Sequence, residues 1–355
     1  MANLDITGGY DPELDYFLPG LPENPKMRDS ASIWFSDSKG RFGLPRFCIE
    51  AVASEWDNRG VEANIAFPDG RVLIGAGGYG PSPTKFIDGK AVTLNAGPLT
   101  FELIEPLRRW RMTFDGKAYE TTVQRQIAGE VGGPERQVKI TLDAIMAVPP
   151  WSPGESVLRS GEHKATMDAF GAVGGQRYEQ LCRCSGTFEI VGEDVIEFDG
   201  TGLFIRRHGA RDVGEFPGHC WQSALFPSGK AFGTSGFPPR ADGTPSFNDA
   251  FLWDGEKKTY AKLIQGPWMT KIVPHDGPVD LVFETEHGEK VTIKGRTYNS
   301  TFIAKGNPMF GDWTQDGEHQ VVNLPFHQGD VIYEWDGETT FGMIERSYPA
   351  DKMER

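Results

Sequence analysis

Val61-Glu-Ala-Asn-Ile-Ala-Phe-Pro-Asp69-Gly70-Arg-Val-Leu-Ile74 reads as strand, tight turn, strand. Asp and Gly tolerate the positive φ that a tight β-turn demands, so the dipeptide between apolar runs is hairpin chemistry. It recurs at Asp88, Asp115, Asp199, Asp242, Asp254, Asp276, Asp316 and Asp336. Arg109 to Gln126, around Asp115-Gly116, and Val321 to Arg346, around Asp336-Gly337, are expected to be two further hairpins. Nowhere does an apolar 3.6-residue period run cleanly for a dozen residues, so helices should be short, with Ala165 to Ala169 as one candidate turn. Many short strands with closely spaced turns predict an all-β, antiparallel protein closed into barrels, because closure removes exposed strand edges.

The 355 residues exceed what a single core usually organises. Pro149-Pro-Trp-Ser-Pro-Gly154 through Gly171-Ala-Val-Gly-Gly175 is poor in apolar residues and separates two strand-rich halves. The expected organisation is an extended arm over 1–30, a first barrel over 31–174 and a second over 175–355. Each half is about the size of a barrel able to enclose one small ligand. With 36 basic against 50 acidic residues the formal charge is -14, which repels phosphate backbones and speaks against nucleic acid as a partner. The first ten residues show no basic region followed by an apolar stretch, and no segment approaches a membrane span, so a cytoplasmic protein without stable membrane insertion is expected. Oligomeric state is left open.

Three stretches carry a family likeness: Pro106-Leu-Arg-Arg-Trp-Arg-Met-Thr-Phe-Asp-Gly116, Gly218-His-Cys-Trp-Gln-Ser223, and Tyr333-Glu-Trp-Asp-Gly-Glu338 with Gly342-Met-Ile-Glu-Arg346. Together they resemble the AttH-like and carotenoid 1,2-hydratase (hydroxyneurosporene synthase) superfamily. The resemblance implies two lipocalin-like domains and a β-lined apolar pocket near their interface. It also implies chemistry on isoprenoid-like or polycyclic molecules, by hydratases that protonate double bonds or by cyclases. The hydratases are similar in carrying a His-x-Trp pair and an acidic residue about thirty positions later, matched here by His219, Trp221 and Asp249.

His219 and Trp221 stand two apart and share a strand face, as would suit a barrel-interior pocket for a largely apolar ligand; the alternative is a satisfied core histidine. Protonating a carbon–carbon double bond needs a carboxylic acid kept neutral by burial, for which Asp249 and Asp212 are candidates, against the commoner fate of an exposed loop carboxylate. Glu345 shares a face with Met343 and Phe341, either as an inward carboxylate or as the partner of an arginine in the first half. In Arg108-Arg-Trp-Arg111, alternation turns Trp110 and Arg111 to opposite faces. One of those faces lies inward or in a domain seam, where a guanidinium holds a ligand carboxylate or a carboxylate of the other domain. Tyr333 completes the expected ligand-binding set.

Gly75-Ala-Gly-Gly-Tyr-Gly80 lacks the helix and lysine of a phosphate cradle, there is no Gly-x-Ser-x-Gly elbow, and the histidines and four cysteines show no zinc spacing. Cys182-Arg-Cys184 is expected to be a structural thiol pair. No metal or dissociable cofactor is indicated. The expected function is acid-catalysed hydration, isomerisation or cyclisation of a hydrophobic small molecule by a lyase or isomerase. The alternative is a lipocalin-like carrier that merely sequesters such a molecule.

Overall fold

The computed structural model describes residues 5–130, 132–156, 176–210, 217–240, 242–244, 246–303, 311–313, 319–321 and 325–354. The first group of strands is β1 (Met27–Asp37), β2 (Gly43–Val52), β3 (Arg59–Ala66), β4 (Arg71–Tyr79), β5 (Phe86–Ile87), β6 (Lys90–Ala91), β7 (Thr93–Ala96), β8 (Leu99–Glu105), β9 (Arg109–Thr122), β10 (Glu135–Met146), β11 (Gln176–Ile190) and β12 (Ile196–Ala210). The second is β13 (His219–Leu225), β14 (Ala231–Gly236), β15 (Asn248–Trp253), β16 (Lys258–Gln265), β17 (Leu281–Thr285), β18 (Lys290–Ile303), β19 (Gly311–Trp313), β20 (His319–Val321), β21 (Phe326–Trp335) and β22 (Glu338–Ser347). All pairings are antiparallel, and the five-residue α1 (Val123–Ile127) is the α-helix among the described elements.

In the first group the sheet runs β10-β11-β12-β1-β2-β3-β4-β9-β8-β7, and β10 also pairs with β9. The ring β9-β10-β11-β12-β1-β2-β3-β4 therefore returns on itself, with β8 and β7 continuing beside one end of β9. Strands β13, β14, β15, β16, β17, β18, β21 and β22 form a closed barrel. By hydrogen bonding the first sheet extends to Ala210, since β11 and β12 pair with β10 and β1. The strands beginning at Gln176, expected to open the second domain, belong to the first sheet instead. Because β10 pairs with β11, the change in composition before Gln176 is not a boundary between sheets.

The hairpins at Asp69-Gly70 and Asp336-Gly337 form as expected, with Asp336 and Gly337 at φ 48° and 78°. The one at Asp115-Gly116 does not. Asp115 and Gly116 lie in mid-strand, opposite Lys139 and Val138, and a Cβ at Gly116 would collide with Pro98. Glycine is there for close approach, not for a turn. Asp199-Gly200 is likewise inside β12. Ala165 to Ala169 lies outside the described residues.

Both barrels are filled. Phe35, Phe42, Phe47, Trp110, Phe114, Phe188 and Phe204 pack inside the first, and Phe232, Leu281, Phe283, Val331 and Tyr333 inside the second. Cys182 and Cys184 are free thiols of the first core, their Sγ atoms 3.5 Å apart. The arm's Phe17 reaches the same core and bridges to Ala91.

Strand alternation then decides what lies between the barrels. On β1, Ile33 and Phe35 point inward while Ser30, Ser32, Trp34 and Ser36 point out. On β13, Gln222 and Ala224 belong to the inner face, and His219, Trp221 and Leu225 to the outer one. The two outer faces pack on each other, burying Trp34, Val148, Trp151, Leu181, Leu203, Ile205, Trp221, Leu225, Phe251, Trp253 and Met343. Trp34 and Trp221 meet edge to face across this seam, centroids 4.9 Å apart.

Candidate active site

Beyond Trp34 and Trp221 the seam turns polar. His219 opens β13 opposite Ser347 of β22, and Trp221 lies opposite Glu345. The imidazole is held at both nitrogens: Nε2 lies 3.1 Å from Glu345 Oε1 and Nδ1 lies 2.7 Å from Ser347 Oγ. Glu345 Oε2 accepts from Gln328 Nε2 at 2.7 Å and pairs with Arg46 of the first barrel at 3.5 Å. Burial alone pushes the Glu345 carboxyl up, but the His219 hydrogen bond and the charges of Arg46 and His219 outweigh it and hold it at about 2. Glu345 is thus an ionised carboxylate, not a proton donor.

Arg46 organises the first-barrel side. It stands at φ 75° where the β2–β3 register shifts between Gly43 and Phe47, a conformation a non-glycine residue adopts at a cost. The guanidinium reaches Glu50 and Glu62, both at 3.4 Å, besides Glu345, and it lies over the Trp34 ring. Asn64 donates to Glu62 Oε1 at 2.7 Å and to Gln328 Oε1 at 3.1 Å, closing a loop of hydrogen bonds across the seam. On the other flank Glu179 accepts from Trp221 Nε1 at 2.9 Å and pairs with Arg177, whose guanidinium lies 4.4 Å from the Trp221 ring centroid. Burial raises the Glu179 carboxyl in spite of Arg177.

The expected site residues therefore separate. His219, Trp221 and Glu345 come together, but in the seam and not inside the second barrel. Glu345 meets the arginine of the first half, Arg46, that the sequence left open as its partner. Tyr333 points the other way, into the packed second core, where its hydroxyl donates to Gln222 Oε1 at 2.5 Å. Trp110 is buried in the first core, stacked on Phe204, and Arg111 pairs with Asp143 at 2.8 Å on the half-exposed outer surface. Neither reaches the seam.

Asp249 shares one cross-strand row with Glu345, Trp221 and Ser235. At about 4.8 Å per strand it stands roughly 10 Å from Trp221, out of reach of His219. Its carboxylate instead accepts from Gly154 N–H and the Ser156 hydroxyl, and burial raises it to about 6 against those bonds. Asp212 lies outside the described residues. Arg46, Glu50, Glu62, Glu179, Gln328 and Ser347 were not foreseen. For all but Ser347, which ends β22, the signal was charged or amide residues alternating with apolar ones in β2, β3, β11 and β21, a pattern that equally describes a solvated face.

At its apolar end the seam is closed, with a cavity of about 10 Å³ between Trp34, Leu203, Ala224 and Met343, room for one water. Among the described residues no His, Cys, Asp and Glu cluster is arranged to hold a metal, and no helix is long and apolar enough to cross a membrane.

The depressed Glu345 carboxyl has a consequence for acid stability. A carboxyl lowered from 4.5 to about 2 stabilises the fold above the unfolded value and loses that contribution as pH falls through the folded one. Between pH 4.5 and 2 the protein should lose roughly 3 kcal/mol from this group. Urea midpoints across that range should show the loss in the wild type, reduced in Glu345→Gln. Parallel curves for the two proteins would contradict it.

Residues 19–349 match a family model described as a domain of unknown function, DUF7064. The chain belongs to the DUF7064 family. No curated protein matches its sequence. Among solved structures it is similar to an AttH-like protein of Nitrosomonas europaea, with 14% identity and a TM-score of 0.52, over 94% of this chain and 99% of that one. It is also similar to kievitone hydratase of Nectria haematococca, with 12% identity and a TM-score of 0.51, over 98% and 96%. The fold of this DUF7064 member is thus the two-barrel, lipocalin-like one of the AttH and hydratase group, as its motifs imply.

Proposed function

We propose that this DUF7064 protein is a lyase of the hydratase type, adding water across a carbon–carbon double bond of a largely apolar small molecule at the barrel seam. The observation that carries the reading is the buried line of carboxylate, imidazole and hydroxyl formed by Glu345, His219 and Ser347. With both ring nitrogens carrying protons, His219 donates from Nε2 to the Glu345 carboxylate and turns Nδ1 toward the Ser347 hydroxyl. The proton at Nδ1 passes through the Ser347 hydroxyl to one carbon of the double bond, and water adds to the cation left on the other. Its surplus proton returns to His219 by the same path, so every proton is accounted for. The fold shared with kievitone hydratase supports the class and does not define the substrate. The same proton delivery without water gives isomerisation or cyclisation.

Farnesol and related isoprenoid alkenes incubated with the protein in ¹⁸O-labelled water should give a labelled alcohol. His219→Gln and Ser347→Ala should each lower kcat/KM by about 10²-fold or more, the worth of a general acid–base group, while remaining folded. Unlabelled isomers would point to isomerase or cyclase chemistry. Alkenes that bind and never change would make the protein a carrier and end the catalytic reading.

A further inference from the structure

One row of the seam holds guanidinium groups that are only loosely paired. Glu50, Ser30, Arg207 and Arg177 are register partners on the adjacent strands β2, β1, β12 and β11. Arg28 lies on the same face of β1, two residues before Ser30. Arg28 and Arg207 are 5% and 7% exposed, and the Arg177 side chain is buried as well. Buried guanidinium groups ordinarily make close hydrogen bonds, since stripping them of water is otherwise costly. Here Arg28 stands 3.9 Å and Arg207 3.8 Å from Glu50, both beyond hydrogen-bond distance. Glu50 is at the same time engaged by Arg46 at 3.4 Å. Nε of Arg207 and Nε of Arg177 are buried with no acceptor. Burial and the neighbouring charges of Arg177, Arg46 and Arg28 outweigh that of Glu50 and push the Arg207 guanidinium down to about 9.

We infer that this end of the seam is a binding site for the carboxylate of a small unsaturated or aromatic acid, held by Arg28, Arg177 and Arg207. A planar carboxylate matches the guanidinium fork and supplies acceptors to the Nε groups of Arg177 and Arg207, which have none, and to Arg28, whose Glu50 partner stands 3.9 Å away. Glu50 and Glu179 stand beside these arginines, so a monoanion is accepted where a phosphate dianion is repelled. The Trp221 ring under Arg177 offers the adjoining apolar surface. The inference rests on the proposed function only in taking the seam as the ligand site. It concerns binding and not turnover.

Isothermal titration of the full chain with trans-cinnamate, cinnamyl alcohol and inorganic phosphate tests it. Cinnamate should bind at least tenfold more tightly than the alcohol, and phosphate should not compete. Arg207→Gln and Arg28→Gln should each erase most of the preference for the acid, with near-ultraviolet circular dichroism unchanged. Should Arg207→Gln not fold, Arg28→Gln and the wild-type acid-to-alcohol ratio decide. Equal affinities for acid and alcohol, no cinnamate binding up to about 10 mM, competition by phosphate, or folded variants that keep the preference would each overturn it. Cinnamate binding that follows this pattern in a protein that hydrates no alkene would overturn the catalytic reading and leave the anion site standing.

Discussion

Arg46→Met is expected to lower the unfolding free energy by about 3–5 kcal/mol, the cost of removing one partner from a buried ion network. The guanidinium touches Glu50, Glu62 and Glu345, which are all buried. Without it, carboxylates from both barrels face one another out of water. The sign with pH follows: the deficit should be largest near pH 8 and shrink toward pH 4, where the stranded carboxyls take up protons. Guanidinium titrations of wild type and variant at the two pH values measure it. A loss under 1 kcal/mol, or one independent of pH, would mean that the network is solvated and not a sealed contact.

Asp330→Asn is expected to act in the opposite direction. Asp330 Oδ1 accepts from Ser36 Oγ of the first barrel at 2.7 Å, and a Cβ at Gly43 would collide with the carboxylate. Burial raises this carboxyl from 3.8 to about 7 against the Ser36 hydrogen bond. A raised carboxyl contributes stability that is complete below the unfolded value and is lost as pH rises through the folded one. Between pH 4 and 8 the wild type should therefore forfeit on the order of 4 kcal/mol at this residue. Asparagine keeps the shape and carries no titrating charge, so the variant should be the more stable protein at pH 8, with the advantage gone at pH 4. Denaturation at both values checks this, and a variant weaker than wild type at pH 8 would show that the ionised form is the one the seam holds.

The sequence carried the fold in its turns and alternation. Asp336-Gly337 and Asp69-Gly70 set hairpins because no other local arrangement suits a positive φ there. Asp115-Gly116 carried the same letters and meant something else, since the demand on Gly116 comes from Pro98, a contact that is not local. Alternation also put His219 and Trp221 on one face and paired Glu345 with their side of the sheet. It does not say which face is the inside of a barrel. Tyr333 was placed with the site and lies in the core because that choice depends on closure of the whole sheet. Arg46 and Glu50 were hidden for a related reason: a polar face that packs on another barrel has the same pattern as one that faces water. Arg111, with Asp143 beside it across the strand pair, shows how an arginine in a promising motif is satisfied locally.

Because the two barrels meet through their outer faces, assembly has an order during synthesis. The first barrel has all its ring strands once β12 has emerged, and it can close while the second is still being made. Its flank then displays Trp34, Leu203 and Ile205 together with Arg46 and Glu50, with nothing to receive them. The partners on β13 come next, but Glu345 and Ser347 arrive only with β22, after every other strand of the second barrel. The nascent chain thus spends the whole making of its second half with a sticky, charged flank uncovered, a natural station for a chaperone. A chain cut short before β22 would be left with a well-folded barrel that invites association through that flank, so that truncation is expected to yield aggregates and not a quieter monomer.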